Sequence, residues 1–155
     1  VITRLLLVVA LVAVAGPGAV ASPGAAAQQA AQVVVAIEDA QYKPLDPARP
    51  DGTAIAVLRG DPATGPSDML MKIRKTDGAV HAHTASYRAL LISGEAMHYE
   101  KCTCEAAGVL KPGSYWHQPG GALHGDACLS DECVIFLSWE GPRDVIIPPA
   151  ATTKK

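Results

Sequence analysis

His81 and His83, one residue apart, and His124, much further along the chain, are the side chains whose types and spacing could do chemistry. On a β-strand, alternate residues point the same way, so His81 and His83 share a face if they open a strand. Neutral imidazole is the commonest borderline ligand, and three of them around a divalent ion leave at least one coordination position open to water or a substrate. A His-x-His pair alone is a weak signal, because alternate residues of an exposed strand are often polar; a third histidine after a glycine-rich turn makes the set more specific. Tyr87 has the parity of His81 and His83 if the strand is unbroken, and its ring then points to the same place. A phenol, with a reference pKa of about 10, suits a hydrogen-bond donor to bound water or substrate better than a ligand. Three neutral ligands leave the ion's double charge uncompensated, which favours an anionic substrate, hydroxide or a dioxygen-derived species.

The elements that must position these residues are short. Pro112-Gly113 and Pro119-Gly120-Gly121 are turn signals enclosing a strand over residues 114–118, after which a second run carries His124. Upstream, residues 54–58 form an apolar run ending at Gly60-Asp61-Pro62, and residues 68–74 alternate Met69, Met71 and Ile73 against Leu70, Lys72 and Arg74. Residues 87–92, 95–99, 134–139 and 145–147 add further short runs. The one helical candidate after residue 21, over residues 104–110, is short and contains Gly108. Many short strands separated by turns predict an all-β sandwich or barrel.

These motifs resemble those of the cupins, small jelly-roll β-barrels. Gly113, Pro119, Gly121 and His124 fall at the spacings of the second cupin motif, with Cys128 where that motif has Asn. His81, His83 and Gly94 fit the first, with Tyr87 at its usual Glu position, while Gly78 stands too close to His81 to be its opening glycine. The resemblance covers residues 44–147 and is strongest to secreted bacterial cupins that carry a domain of unknown function. It implies a single jelly-roll barrel with a divalent metal ion (iron, manganese or zinc) on His81, His83 and His124, a small-molecule ligand or substrate, and pairing into a homodimer. Three-histidine sites of this kind occur among iron thiol dioxygenases.

The chain begins as an exported protein would. Arg4 precedes an apolar run over residues 5–15, Gly16-Pro17-Gly18 breaks it, and Ala19-Val20-Ala21 offers a small-x-small cleavage pattern. The run is shorter than the roughly 20 residues that span a bilayer. Residues 1–21 therefore read as a signal peptide, with a second cleavage pattern at Ala25-Ala26-Ala27, and the mature protein is expected in the periplasm or secreted, off the membrane. Residues 22–43 read as a flexible leader with a candidate first strand over residues 33–37, residues 44–147 as the barrel and residues 148–155 as a tail. An oxidising compartment suits disulfides among Cys102, Cys104, Cys128 and Cys133. A Cys128–Cys133 bridge closing the loop at residues 129–132 is favoured over a bridge from Cys102 or Cys104 to Cys133, and both over Cys128 as a thiolate ligand. His98 and His117 read as satisfied or exposed side chains, with a place behind the ligands or at the pocket mouth as the alternative for one of them, and Trp116, Phe136 and Trp139 read as core.

In the whole chain, 13 Lys and Arg against 15 Asp and Glu give a net charge of −2. No basic block provides a nucleic-acid groove, which argues against that class of partner. Two function classes follow: a metal-dependent enzyme, either dioxygenase-like or a hydrolase or isomerase, with Tyr87 as its proton or hydrogen-bond donor; and a non-catalytic protein that holds a metal or small ligand.

Overall fold

A computed structural model describes residues 32–76, 78–100 and 107–149. The expected signal peptide, nearly all of the tail, and Cys102 and Cys104 lie outside these residues. Seven strands form one antiparallel sheet: β1 (Lys43–Pro44), β2 (Ala54–Gly60), β3 (Ser67–Thr76), β4 (Tyr87–Ser93), β5 (Ala96–Glu100), β6 (Tyr115–Gln118) and β7 (His124–Trp139). Hydrogen bonding runs in the order β1-β2-β3-β7-β4-β6, and β5 also pairs with β7. The class is all-β, as the closely spaced apolar runs predict.

The long strand β7 organises the rest. From Val134 onward it lies between β3 and β4, and its first residues, His124 to Cys128, pair with β5. Register aligns apolar residues in rows across three strands: Met69 with Leu137 and Ala89, and Met71 with Ile135 and Leu91. The alternation seen in β3 is thus the alternation of one inward face, and Met69, Ile73, Ala89, Leu91, Ile135, Leu137 and Trp139 form one buried cluster. Fully burying a side chain such as Leu91 contributes about 1.5–3 kcal/mol. A smaller cluster of Ala56, Leu70 and Val134 covers part of the opposite face.

Two local expectations are corrected. Residues 33–37 form no strand: they are exposed, and a 3-10 turn occupies Ile37–Asp39. Their β-branched composition suits a strand, but no neighbouring strand pairs with them. Residues 129–132 do not separate two strands either. They are an excursion within β7, where register slips between Arg74↔Glu132 and Thr76↔Cys128. The Glu95 amide donates to Ser130 Oγ at 2.9 Å, the Leu129 amide donates to the Glu95 carbonyl at 2.8 Å, and a Cys128–Cys133 disulfide closes the excursion.

Candidate metal centre

His81 and His124 face each other as a reciprocal backbone pair, with His81 N–H donating to the His124 carbonyl at 2.8 Å and His124 N–H to the His81 carbonyl at 2.9 Å. This bridge sets their rings side by side, centroids 4.3 Å apart. Ala82, on the opposite parity, makes the matching pair with Ile146. His83 then returns to the interior, its centroid 4.8 Å from His81 and 5.1 Å from His124. The turn Pro119-Gly120-Gly121 closes over this segment, with Gly121 N–H donating to the His83 carbonyl at 2.7 Å. Only glycine fits there: a Cβ on Gly120 would lie 2.4 Å from the Thr84 carbonyl oxygen, and Gly121 has φ +78°. The two sequence motifs are therefore one packed unit.

The expected strand opening at His81 does not form: His81 and Ala82 make single bridges, and strand structure resumes only at Tyr87, after residues 83–86. There Asp144 accepts from the Thr84 amide at 2.8 Å and from its hydroxyl at 2.5 Å, bending the chain toward the C-terminal segment. Tyr87 nevertheless resumes the inward face. It is buried, and its hydroxyl donates to His124 Nε2 at 3.3 Å.

Each histidine commits Nδ1 to a main-chain carbonyl: His81 to Ala79 at 2.8 Å, His124 to Ala122 at 3.2 Å, and His83 to Asp144. A ring that donates through Nδ1–H leaves the Nε2 lone pair free, the arrangement that second-shell partners impose on metal ligands. One ring nitrogen from each of the three residues lies within 4.8 Å of those from the others, so the set could hold one ion. Burial, reinforced by the positive charge of His81, His124 and Arg143, pushes His83 down to about 4, against the opposing hydrogen bond to Asp144. Burial likewise lowers His124, although Asp126 and the Ala122 carbonyl pull the other way. These two imidazoles are consequently neutral near pH 7 and would need to lose no proton to bind a metal. Burial and the negative charge of Asp126 raise the Tyr87 phenol far above its ordinary value, so it stays a donor.

Asp126, which belongs to neither sequence motif, joins the site. Its Oδ2 lies 3.6 Å from His124 Nε2 and 3.9 Å from His81 Nε2. Opposite it on β5 stands His98, whose Nδ1 donates to Asp126 Oδ1 at 2.7 Å while Nε2 faces Gln118 Oε1 at 3.1 Å. Gln118 in turn donates to the Ala122 carbonyl at 2.9 Å, the same oxygen that accepts from His124 Nδ1. A closed polar circuit of His124, Ala122, Gln118, His98 and Asp126 thus surrounds one flank of the centre. Burial alone would raise the Asp126 carboxyl, but the His98 hydrogen bond and the electrostatic pull of the surrounding imidazoles outweigh it and hold the group below the usual carboxylate range. The signal was present: Asp126 follows His124 by two residues, the parity that joins His81 to His83. His98 takes the alternative expected for one of the two remaining histidines, a place behind the candidate ligands, whereas His117 is exposed. Trp116 is only half-buried and stacks on His98 with centroids 5.2 Å apart.

His81, His83, Tyr87 and Asp126 line a cavity of about 400 Å³ whose remaining wall is largely apolar. His124 has no exposed surface, and its Nε2 is enclosed by Tyr87 and Asp126. Cys128 is tied up in its disulfide and ligates nothing.

The family described as a domain of unknown function (DUF4437) matches residues 23–145. The chain belongs to that family. No curated protein sequence matches this DUF4437 chain. Among solved structures it is similar to an RmlC-like cupin from Shewanella frigidimarina, at 18% identity and a TM-score of 0.55 over 72% of this chain and 92% of that one. It is also similar to an acetylacetone dioxygenase from Acinetobacter johnsonii, at 24% identity and 0.57 over 79% and 82% of the two chains. A third is the polyketide cyclase RemF from Streptomyces resistomycificus, at 15% identity and 0.57 over 76% and 85%. These likenesses establish the cupin jelly roll for the DUF4437 chain.

Proposed function

We propose that this DUF4437 cupin is an exported, metal-dependent enzyme acting on a small organic molecule, with His81, His83 and His124 holding a divalent ion. The observation that carries the reading is the set of three Nδ1–H···O=C bonds, which presents three Nε2 lone pairs to one another beside a cavity large enough for a small molecule. Iron, manganese or zinc suits imidazole ligands, and when bound such an ion polarises an oxygen-bearing substrate or supports dioxygen chemistry. The protein supplies the proton groups. Tyr87, held protonated, gives up its contact with His124 Nε2 once that lone pair is engaged and can then donate to a molecule in the cavity. Asp126, held ionised and oriented by His98, is the facing acceptor. A donor and an acceptor on one cavity favour catalysis over simple retention. The Cys128–Cys133 disulfide fits the oxidising compartment that the N-terminal sequence predicts.

Elemental analysis of the purified protein, with oxygen-uptake and product assays on small acids, thiols and 1,3-diketones, tests this. About one equivalent of metal with metal-dependent turnover is expected. Metal at that level with no turnover across the panel would move the protein to the ligand-holding class, and absence of metal after loading would remove the ion from the account.

A further inference from the structure

Arg143 lines the same cavity as His81 and His83 and makes no ion pair or side-chain hydrogen bond among the described residues. Its main chain is fixed, with the amide donating to the Pro62 carbonyl at 2.7 Å. An arginine that serves only as packing buries its methylenes and leaves its nitrogens in water. Here Nε is itself buried without a partner, and burial lowers the pKa of the guanidinium. The adjacent Asp144 supplies a through-space counter-charge but no bond to the guanidinium: both its carboxylate oxygens accept from Thr84. Arg49, the other guanidinium on this cavity, is already bonded to Asp46 at 2.7 Å. Asp126, the carboxylate on the cavity wall, is engaged by His98. The cavity therefore offers a partly desolvated guanidinium with no bonded partner among the described residues, an arrangement that an entering anion would complete.

We propose that Arg143 is the anion-recognising subsite of this cavity, and that the molecule it receives is a small organic acid. Its carboxylate pairs with the guanidinium, its compact carbon body packs on Met71, Ile135 and Leu137, and its reactive end points toward the three histidines. The placement of the reactive end rests on the metal-centre reading above; the pairing with Arg143 does not.

The test uses the full chain, both chelator-stripped and zinc-loaded, titrated calorimetrically with benzoate and hexanoate and with the matched neutral amides, benzamide and hexanamide. A charge-assisted, bidentate contact predicts that each acid binds about tenfold or more tightly than its amide in wild type. Arg143→Gln should bring acid and amide to within about twofold, while Arg143→Lys, which keeps the charge without the fork, should retain part of the preference. Circular dichroism establishes that both variants are folded. Equal binding of acid and amide, no binding of either at millimolar concentration, or a preference that survives Arg143→Gln would overturn the proposal. Zinc content measured on the same samples separates the two readings: an Arg143-dependent preference in protein that takes up no zinc leaves this subsite standing and removes the metal centre.

Discussion

The C-terminal half of β7 places Ile135, Leu137 and Trp139 in an apolar cluster, while its N-terminal half places His124 and Asp126 on the wall of the same interior. Burial does not distinguish the two: Leu137 is 4% exposed and His124 0%. What differs is the way each half is stabilised. Leu137 needs only close neighbours, whereas every polar atom of His124 needs a partner and has one, in the Ala122 carbonyl and the Tyr87 hydroxyl. One strand can thus carry packing and chemistry if the polar end is supplied with its own hydrogen-bond circuit.

The comparison can be broken most forcefully at His124. His124→Ala should lower metal affinity by more than about a hundredfold, since losing a ligand exceeds the tenfold to hundredfold typical of losing its outer partner; metal content after dialysis measures this. Leu137→Ala should do the converse. It should cost about 2–3 kcal/mol in urea unfolding, the low end of the range for such truncations because the side chain borders an existing cavity, and leave metal stoichiometry unchanged. Equal damage to metal content from both variants would sink the division of β7 into two roles. Asp126→Asn keeps the shape and removes the charge, and should weaken metal binding by about tenfold with little change in fold stability; competition with a chromophoric chelator reads it directly.

A further effect, graded rather than all-or-none, is that of pH on the metal-free protein. His83 takes up a proton only at about 4, while an unfolded histidine does so at 6.5. Between those values the unfolded chain binds more protons, so this contribution to stability is complete above pH 6.5 and is lost as the pH falls toward about 4. The lowered His124 acts in the same direction. Urea midpoints measured in chelator across this window should decline, and should hardly move between pH 7 and 8.

Legibility in the sequence followed the same division. Met69, Met71 and Ile73 announced their strand by alternation, and the turn glycines placed His124 at a recognisable spacing. Tyr87 was placed correctly by parity although the strand that justified the parity is interrupted, because the Thr84–Asp144 bonds turn the chain without reversing its face. Asp126 belongs to neither motif spacing, and its place beside the histidines comes from its pairing with His98 on β5, which no local pattern encodes. Arg143 could not be found, since its position depends on residues 142–147 folding back beside His83, a contact no local pattern encodes. Residues 33–37 misled for the opposite reason: their composition suits a strand, but a strand exists only where another chain segment meets it.

The oxygens that accept the three Nδ1–H groups all belong to the main chain. Ring orientation at the centre is thereby inherited from the path of the backbone, and no exchange of a neighbouring side chain can delete an acceptor while the barrel keeps its shape. Asp126, His98, Gln118, Tyr87 and Arg143, by contrast, are each one codon away from a different character. A scaffold divided in this way can change its chemistry piece by piece around a fixed triad of imidazoles.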